Sequence, residues 1–128
     1  IVVEASRNVD IGPLQGLLEE LEHNLVISEN FSGYTLGFLF REEQITRAIR
    51  EGVMSILADD LRQALSRAYG AISKANELIR SHNSQDARDR VASHKTGDAM
   101  QAVNDAIPLI IAARNQLLSF VRSEDSDS

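Results

Sequence analysis

The sequence predicts an all-α protein, an antiparallel four-helix bundle whose fourth helix is kinked. Four segments carry apolar residues at the three- and four-residue spacing of one helix face, and none alternates as a half-buried strand does. A chain of 128 residues is long enough for one domain with its own core. Residues 1–60 carry 11 acidic and 4 basic side chains, whereas residues 61–123 carry 5 and 9. Opposite charge on the two halves favours packing an acidic helix pair against a basic one.

The first two helices are predicted from leucine and isoleucine spacing. The first begins at Gly12-Pro13, because proline loses no hydrogen bond at the first helical position, and ends near Ile27. Its apolar stripe is Leu14, Leu17, Leu18, Leu21 and Leu25. Residues 29–40 are predicted to be a loop that becomes a short helical turn packing on the core. The second helix is expected from Glu42 to Leu57. Gly52 lies inside it and weakens it by about 1 kcal/mol relative to alanine.

The third and fourth helices are longer. Asp60 and Gln63 form a capping-box pattern that starts the third helix. Its stripe is Leu61, Ala64, Leu65, Ala68, Ile72 and Ile79, with Tyr69 on the flank. The polar segment over residues 81–97 is predicted to be either a long, mobile connection or a solvated continuation of one helix. The fourth helix is expected from Asp98 to Arg122. Its stripe is Met100, Val103, Ile107, Ile110, Ile111, Leu117, Leu118 and Val121. Pro108 predicts the kink, because it removes a backbone bond and clashes with the preceding turn.

The predicted domain spans residues 12–122. Residues 1–11 form a lead-in, and their apolar start has two interpretations: the end of an upstream membrane anchor, or a short packing strand. Residues 123–128 are expected to be a disordered acidic tail, because three acids stand there without a base or an apolar side chain.

Composition and motifs argue against several functions. A formal charge of −6 disfavours nucleic-acid binding, which depends on lysine and arginine at the phosphates. The absence of cysteine excludes disulfides, thiolate catalysis and cysteine-ligated metals. The sequence has no Gly-x-Ser-x-Gly elbow and no glycine-rich phosphate loop. We therefore predict no catalytic residues, no cofactor and no enzymatic activity.

One pair resembles a metal-binding motif. Glu20 and His23 have the Glu-x-x-His spacing of di-iron carboxylate bundles. On a helical projection His23 points away from the leucine stripe, and no second such pair exists. No metal site is predicted.

Three polar residues lie on or beside apolar stripes: Asn24, Asn76 and Arg114. The first interpretation is structural: the asparagines satisfy buried partners, and Arg114 pairs with an acid to specify helix register. The second is functional: the three line a polar-ligand or anion site, with Arg114 as its charge. An arginine can also extend to the rim and do neither.

A face of small residues lies opposite the stripe of the third helix. Ser66, Gly70 and Ser73 follow helical spacing there, and Gly70 lowers helix propensity for no intrahelical reason. Either this is ordinary surface, or another chain approaches closely and the three residues form an interaction face.

Residues 17–25 and 61–79 have a more specific pattern, since leucines at helical spacing are combined with Asn24, Tyr69 and Asn76. In this they resemble the helical domains of small membrane-anchored bacterial proteins of unknown function. That resemblance implies a helical domain attached to a membrane by a preceding segment, and it implies no activity.

The sequence thus predicts a non-enzymatic interaction or scaffold domain that acts through a protein partner or by self-association. The alternative is a ligand-sensing bundle with a polar site around Arg114. Contact with a membrane is expected only through a segment upstream of Ile1. The compartment and the biological process are not predicted.

Overall fold

The computed structural model describes residues 12–29, 39–83 and 95–126, except the side chains of residues 82, 83, 95, 96 and 124–126. Within these ranges the chain is all-α and has no strand. The helices are α1 (Gly12–Glu29), α2 (Glu43–Arg50), α3 (Asp59–Asn83) and α4 (Lys95–Ser126). A 3-10 turn, Val53–Ile56, lies between α2 and α3. The helices pack around one apolar core, as a bundle requires.

The most extensive contact in the described chain joins α3 to α4. On both helices the buried side chains recur at alternating steps of four and three residues, the period of a coiled coil. From Leu65 onward on α3, and throughout the series on α4, large aliphatic residues alternate with alanine, and small side chains let two helices pack closely. We refer to the buried residues at these positions as the α3/α4 seam: Leu61, Leu65, Ala68, Ile72, Ala75 and Ile79 on α3 and Ala99, Val103, Ala106, Ile110, Ala113 and Leu117 on α4.

The buried face of α4 lies to one side of the predicted stripe. Ile107 and Leu118 are only partly buried, and Ile111 is 38% exposed. The alanines of the seam occupy the central positions instead. The prediction weighted each residue by its apolar size, whereas close packing of α3 and α4 selects small side chains at every second contact.

The buried face of α1 is also rotated from its predicted position. Its buried residues are Pro13, Leu14, Leu17, Glu20, Leu21 and Asn24. Leu18 and Leu25, on the other side of the stripe, are only partly buried. The physical reason is that α1 packs against both α4 and α2, and the contact with α2 covers the side that carries Glu20 and Asn24.

The predicted second helix over residues 42–57 is interrupted. Gly52 adopts a positive φ of 73°, a left-handed conformation that glycine accepts without a steric cost, and α2 ends at Arg50. The Gly52 N–H donates to the Ile49 carbonyl (3.1 Å), which closes the last turn. Gly52 therefore ends α2 rather than weakening the middle of a longer helix.

The other helix ends differ from the predictions by a few residues. α3 begins at Asp59, one residue before the predicted cap, and α4 begins at Lys95. α4 also continues to Ser126, into the segment predicted as a tail. The lead-in over residues 1–11, most of the loop over residues 29–40 and most of the connection over residues 81–97 lie outside the described residues.

None of the described helices is both long enough and apolar enough to cross a membrane.

Candidate functional site

A buried asparagine of α3 binds the backbone of the segment that leads into α2. The Phe40 N–H donates to Asn76 Oδ1 (2.8 Å), and Asn76 Nδ2 donates to the Phe40 carbonyl (2.9 Å). The same Nδ2 also donates to Glu42 Oε2 (2.9 Å). Asn76 is completely buried and Phe40 is nearly so. The carboxamide thus binds both polar backbone groups of a buried residue that lies outside the helices.

A second asparagine, on α1, binds the next residue of the same segment. The Arg41 N–H donates to Asn24 Oδ1 (2.8 Å), and Asn24 Nδ2 donates to the Arg41 carbonyl (3.1 Å). Phe40 is thus bound by α3, and Arg41 is bound by α1. We refer to Asn24, Asn76 and the backbone of Phe40 and Arg41 as the asparagine clamp.

A buried carboxylate completes the network and caps α2. Glu42, at the N-cap position of α2, makes no side-chain capping bond. Glu20 of α1 supplies the capping bond instead, because its Oε2 accepts from the Gln44 N–H in the first turn of α2 (2.9 Å). The other oxygen of Glu20, Oε1, accepts from the Tyr69 hydroxyl of α3 (2.7 Å). A negative charge at the N-terminus of a helix is favourable, and an eight-residue helix needs such support.

Tyr69 is held in its neutral form. Burial raises the pKa of its hydroxyl well above the ordinary tyrosine value, and the hydrogen bond to Glu20 raises it further. The negative charges of Glu20 and Glu42 act in the same direction. The hydroxyl therefore serves as a permanent donor to the Glu20 carboxylate.

The clamp and the Glu20–Tyr69 pair connect protein groups to protein groups. Both carboxamides, both Glu20 oxygens and the Tyr69 hydroxyl are engaged in the hydrogen bonds given above. Such an arrangement orders the segment before α2 and joins α1 to α3. It contains no reactive pair of the kind that nucleophilic catalysis uses.

The structure brings Asn24 and Asn76 to the two sides of one segment, but it places Arg114 elsewhere. Arg114 is half-buried on α4, where its Nε and Nη2 donate to Asn115 Oδ1 (3.2 and 3.1 Å). It was predicted at the middle of the α4 stripe. Because the seam is centred on the alanines, Arg114 falls at the edge of the buried face.

Arg114 lines an open groove between α1 and α4, which we call the α1/α4 groove. Its volume is about 510 Å³, and its walls are Glu22, Leu25, Val26, Ser28, Glu29, Ile107, Ile111 and Arg114. Val26 is 56% exposed and Ile111 38% exposed. The groove therefore combines aliphatic side chains, two of them exposed, with charges of both signs.

Two network members were missed in the sequence. Glu20 was missed because the predicted stripe of α1 contained only leucines. Tyr69 was placed on a flank of its helix. A usable signal was present: Glu20 and Asn24 are four residues apart and lie on the same side of Leu17 and Leu21. Two polar residues in that position indicate a second neighbour for α1.

The remaining candidates lie at the surface. His23 is only partly buried, and within residues 12–29, 39–83 and 95–126 no group of three or more histidine and carboxylate side chains is placed to hold a metal. Ser66, Gly70 and Ser73 are all exposed on α3. A Cβ added at Gly70 would meet no atom within 4 Å.

Comparison with protein-family models, with curated proteins and with solved structures finds no match to this chain. The resemblance of residues 17–25 and 61–79 to membrane-anchored helical domains therefore stays a prediction. Functional conclusions follow from the geometry described above.

Proposed function

We propose that the protein is a non-enzymatic helical interaction module that self-associates through the α1/α4 groove. The observation that supports this most directly is the joint exposure of Val26 and Ile111 on facing helices. Covering large aliphatic side chains removes apolar surface from water, so a groove lined by them favours association.

A second copy of the chain is the occupant that the charges favour. The groove contains Arg114 together with Glu22 and Glu29, so it carries both signs. In a two-fold symmetric contact each patch meets its own copy, and the arginine of one copy can then face an acid of the other. A groove of uniform charge would repel itself.

Sedimentation velocity over a concentration series tests this proposal. We expect the wild type to form dimers and Ile111→Asp to remain monomeric, because a buried, unpaired carboxylate opposes the contact. The matched control is Ile49→Asp, which changes an isoleucine that is 62% exposed on α2, outside the groove. A wild type that is monomeric at every concentration, or an Ile111→Asp variant that still dimerises, contradicts the proposal.

We include in this proposal an antiparallel order of the helices and a kink of α4 at Pro108. Pro108 lies within α4 on its exposed side, where loss of one backbone bond bends a helix away from solvent. Attachment to a membrane through a preceding segment remains the prediction that the sequence resemblance implies.

A ligand-sensing function is the second candidate, because the Arg114 guanidinium lies at the edge of an apolar groove. Native mass spectrometry of the purified protein distinguishes the two. Extra mass that is lost on denaturation, and is absent from Arg114→Leu, favours a bound ligand. A mass equal to two bare chains favours self-association.

A further inference from the structure

A cleft on another side of the molecule brings together three arginines from three elements. Arg41 comes from the segment before α2, Arg50 from the last turn of α2 and Arg80 from the C-terminal part of α3. The cleft has a volume of about 610 Å³, and its other lining residues are Leu39, Phe40, Glu42, Glu43 and Thr46. It shares no residue with the α1/α4 groove.

What distinguishes the three arginines is that they line one cleft. Arg41, Arg50 and Arg80 are all exposed and form no ion pair within the described parts of the chain. Arg67 is also exposed without an ion pair, but it lies outside the cleft. The position of three arginines around one cleft, rather than their lack of acidic partners, therefore favours an anion from outside.

The acids of the cleft do not cancel this charge. Glu42 already accepts a hydrogen bond from Asn76, which orients its carboxylate toward α3. Glu43 is exposed in the first turn of α2, where the helix dipole favours a negative charge. Counting both acids, the lining still carries one excess positive charge.

The asparagine clamp makes the floor of this cleft rigid. Asn76 and Asn24 hold the backbone of Phe40 and Arg41 from both sides. Arg80 lies one helical turn after Asn76, so both residues lie on the same face of α3. A fixed floor reduces the conformational entropy that ligand binding would otherwise lose.

We propose that the cleft binds a phosphate monoester whose organic part lies against Leu39. Arginine forms paired hydrogen bonds with phosphate oxygens, and several arginines around one phosphate neutralise its two negative charges. Leu39 is 39% exposed in the same cleft and offers an apolar surface beside the charged groups. The proposal is independent of self-association.

Isothermal titration calorimetry with phenyl phosphate tests the site in the full chain. We expect saturable binding, at least about tenfold weaker for Arg80→Gln, because the substitution removes one paired, charge-assisted contact to the phosphate. The matched control is Arg67→Gln, an exposed arginine of α3 outside the cleft, which leaves affinity unchanged. Arg80→Lys keeps the charge but loses the paired geometry and should bind with intermediate affinity. Circular dichroism verifies that each variant is folded.

Two further probes identify the source of the phosphate. Phosphatidic acid vesicles carry the same group on a lipid, and phosphatidylcholine vesicles serve as their control. Binding to phosphatidic acid that depends on Arg80 assigns the cleft to a lipid headgroup. Binding of phenyl phosphate alone assigns it to a small molecule. The proposal is overturned if neither probe binds, or if Arg67→Gln weakens binding as much as Arg80→Gln does.

Discussion

The α3/α4 seam and the asparagine clamp are both buried, but opposite chemistry holds them together. In the seam, two long helices meet through aliphatic side chains and alanines. In the clamp, a short segment without helical structure is held by directional hydrogen bonds from Asn24 and Asn76. Helices satisfy their own backbone groups, so apolar side chains suffice where two of them meet. A buried non-helical segment has no such internal partners, and its polar groups need side chains that replace water.

This difference also predicts how each region responds to substitution. Removing an aliphatic side chain from the seam leaves a cavity but no unsatisfied group. Removing a carboxamide from the clamp removes at least two hydrogen bonds to the backbone of Phe40 or Arg41 at once.

Asn76→Ala should have the largest effect. The substitution removes three hydrogen bonds of a fully buried carboxamide, two of them to the Phe40 backbone and one to the Glu42 carboxylate, so the free energy of unfolding should fall by roughly 3–5 kcal/mol. Urea denaturation measures the loss. Hydrogen exchange should show the amides of Phe40 and Arg41 opening before the rest of the core. Asn104→Ala, at an exposed position of α4, is the control and should change stability by less than about 0.5 kcal/mol. Equal losses for the two variants would contradict a structural role for the clamp.

Ile72→Ala tests the seam. A large-to-small substitution at a fully buried position should lower the free energy of unfolding by about 2–4 kcal/mol. Here the Phe40 and Arg41 amides should keep their protection relative to the core, because the clamp stays intact. Ile56→Ala is the control, since Ile56 is 47% exposed. Preferential opening of residues 40 and 41 in Ile72→Ala would mean that seam and clamp are one cooperative unit.

Alkaline pH should weaken the protein through Tyr69. Its pKa is raised in the folded state, whereas the unfolded chain ionises near the ordinary value of about 10. Below pH 10 Tyr69 is neutral in both states, so its contribution to the free energy of unfolding is complete. Above pH 10 the unfolded chain loses this proton first, and the free energy of unfolding falls by up to about 1.4 kcal/mol per pH unit. Urea denaturation at pH 9 to 11 measures this slope. Tyr69→Phe, which has no hydroxyl to ionise, should show a shallower slope, and an unchanged slope would exclude Tyr69 as its cause.

Gly70→Ala should have the smallest effect, and it should be stabilising. A Cβ there meets no other atom, so the helix gains about 0.5–1 kcal/mol from higher propensity. Gly52→Ala makes the same chemical change where φ is positive and should be destabilising. Thermal denaturation of the two variants measures whether each substitution raises or lowers the stability of the protein. In sedimentation velocity, Gly70→Ala should self-associate as strongly as the wild type. Weaker self-association of this variant would indicate that the interface is the face of Ser66, Gly70 and Ser73 rather than the α1/α4 groove.

Part of the network was visible in the sequence. Asn24 and Asn76 stood out because a carboxamide on an apolar helix face must have a partner. Their actual partners could not be predicted, because the backbone of Phe40 and Arg41 has no sequence signature. Glu20 was missed for a related reason: a single helix shows one periodic stripe, but α1 has two neighbours and hence a wider buried face.

By itself the sequence determined the helical class and the approximate extent of α1, α3 and α4, because helix periodicity is local and recurs over many residues. It also identified both asparagines of the clamp. The packing of the whole chain was needed to show that Gly52 ends α2, that the three seam alanines of α4 are buried while Ile107 and Ile111 are not, and that Arg114 lies apart from the asparagines. The physical reason is common to all three. Each depends on which neighbour covers a residue, and that is set by the packing of distant segments rather than by the residues on either side.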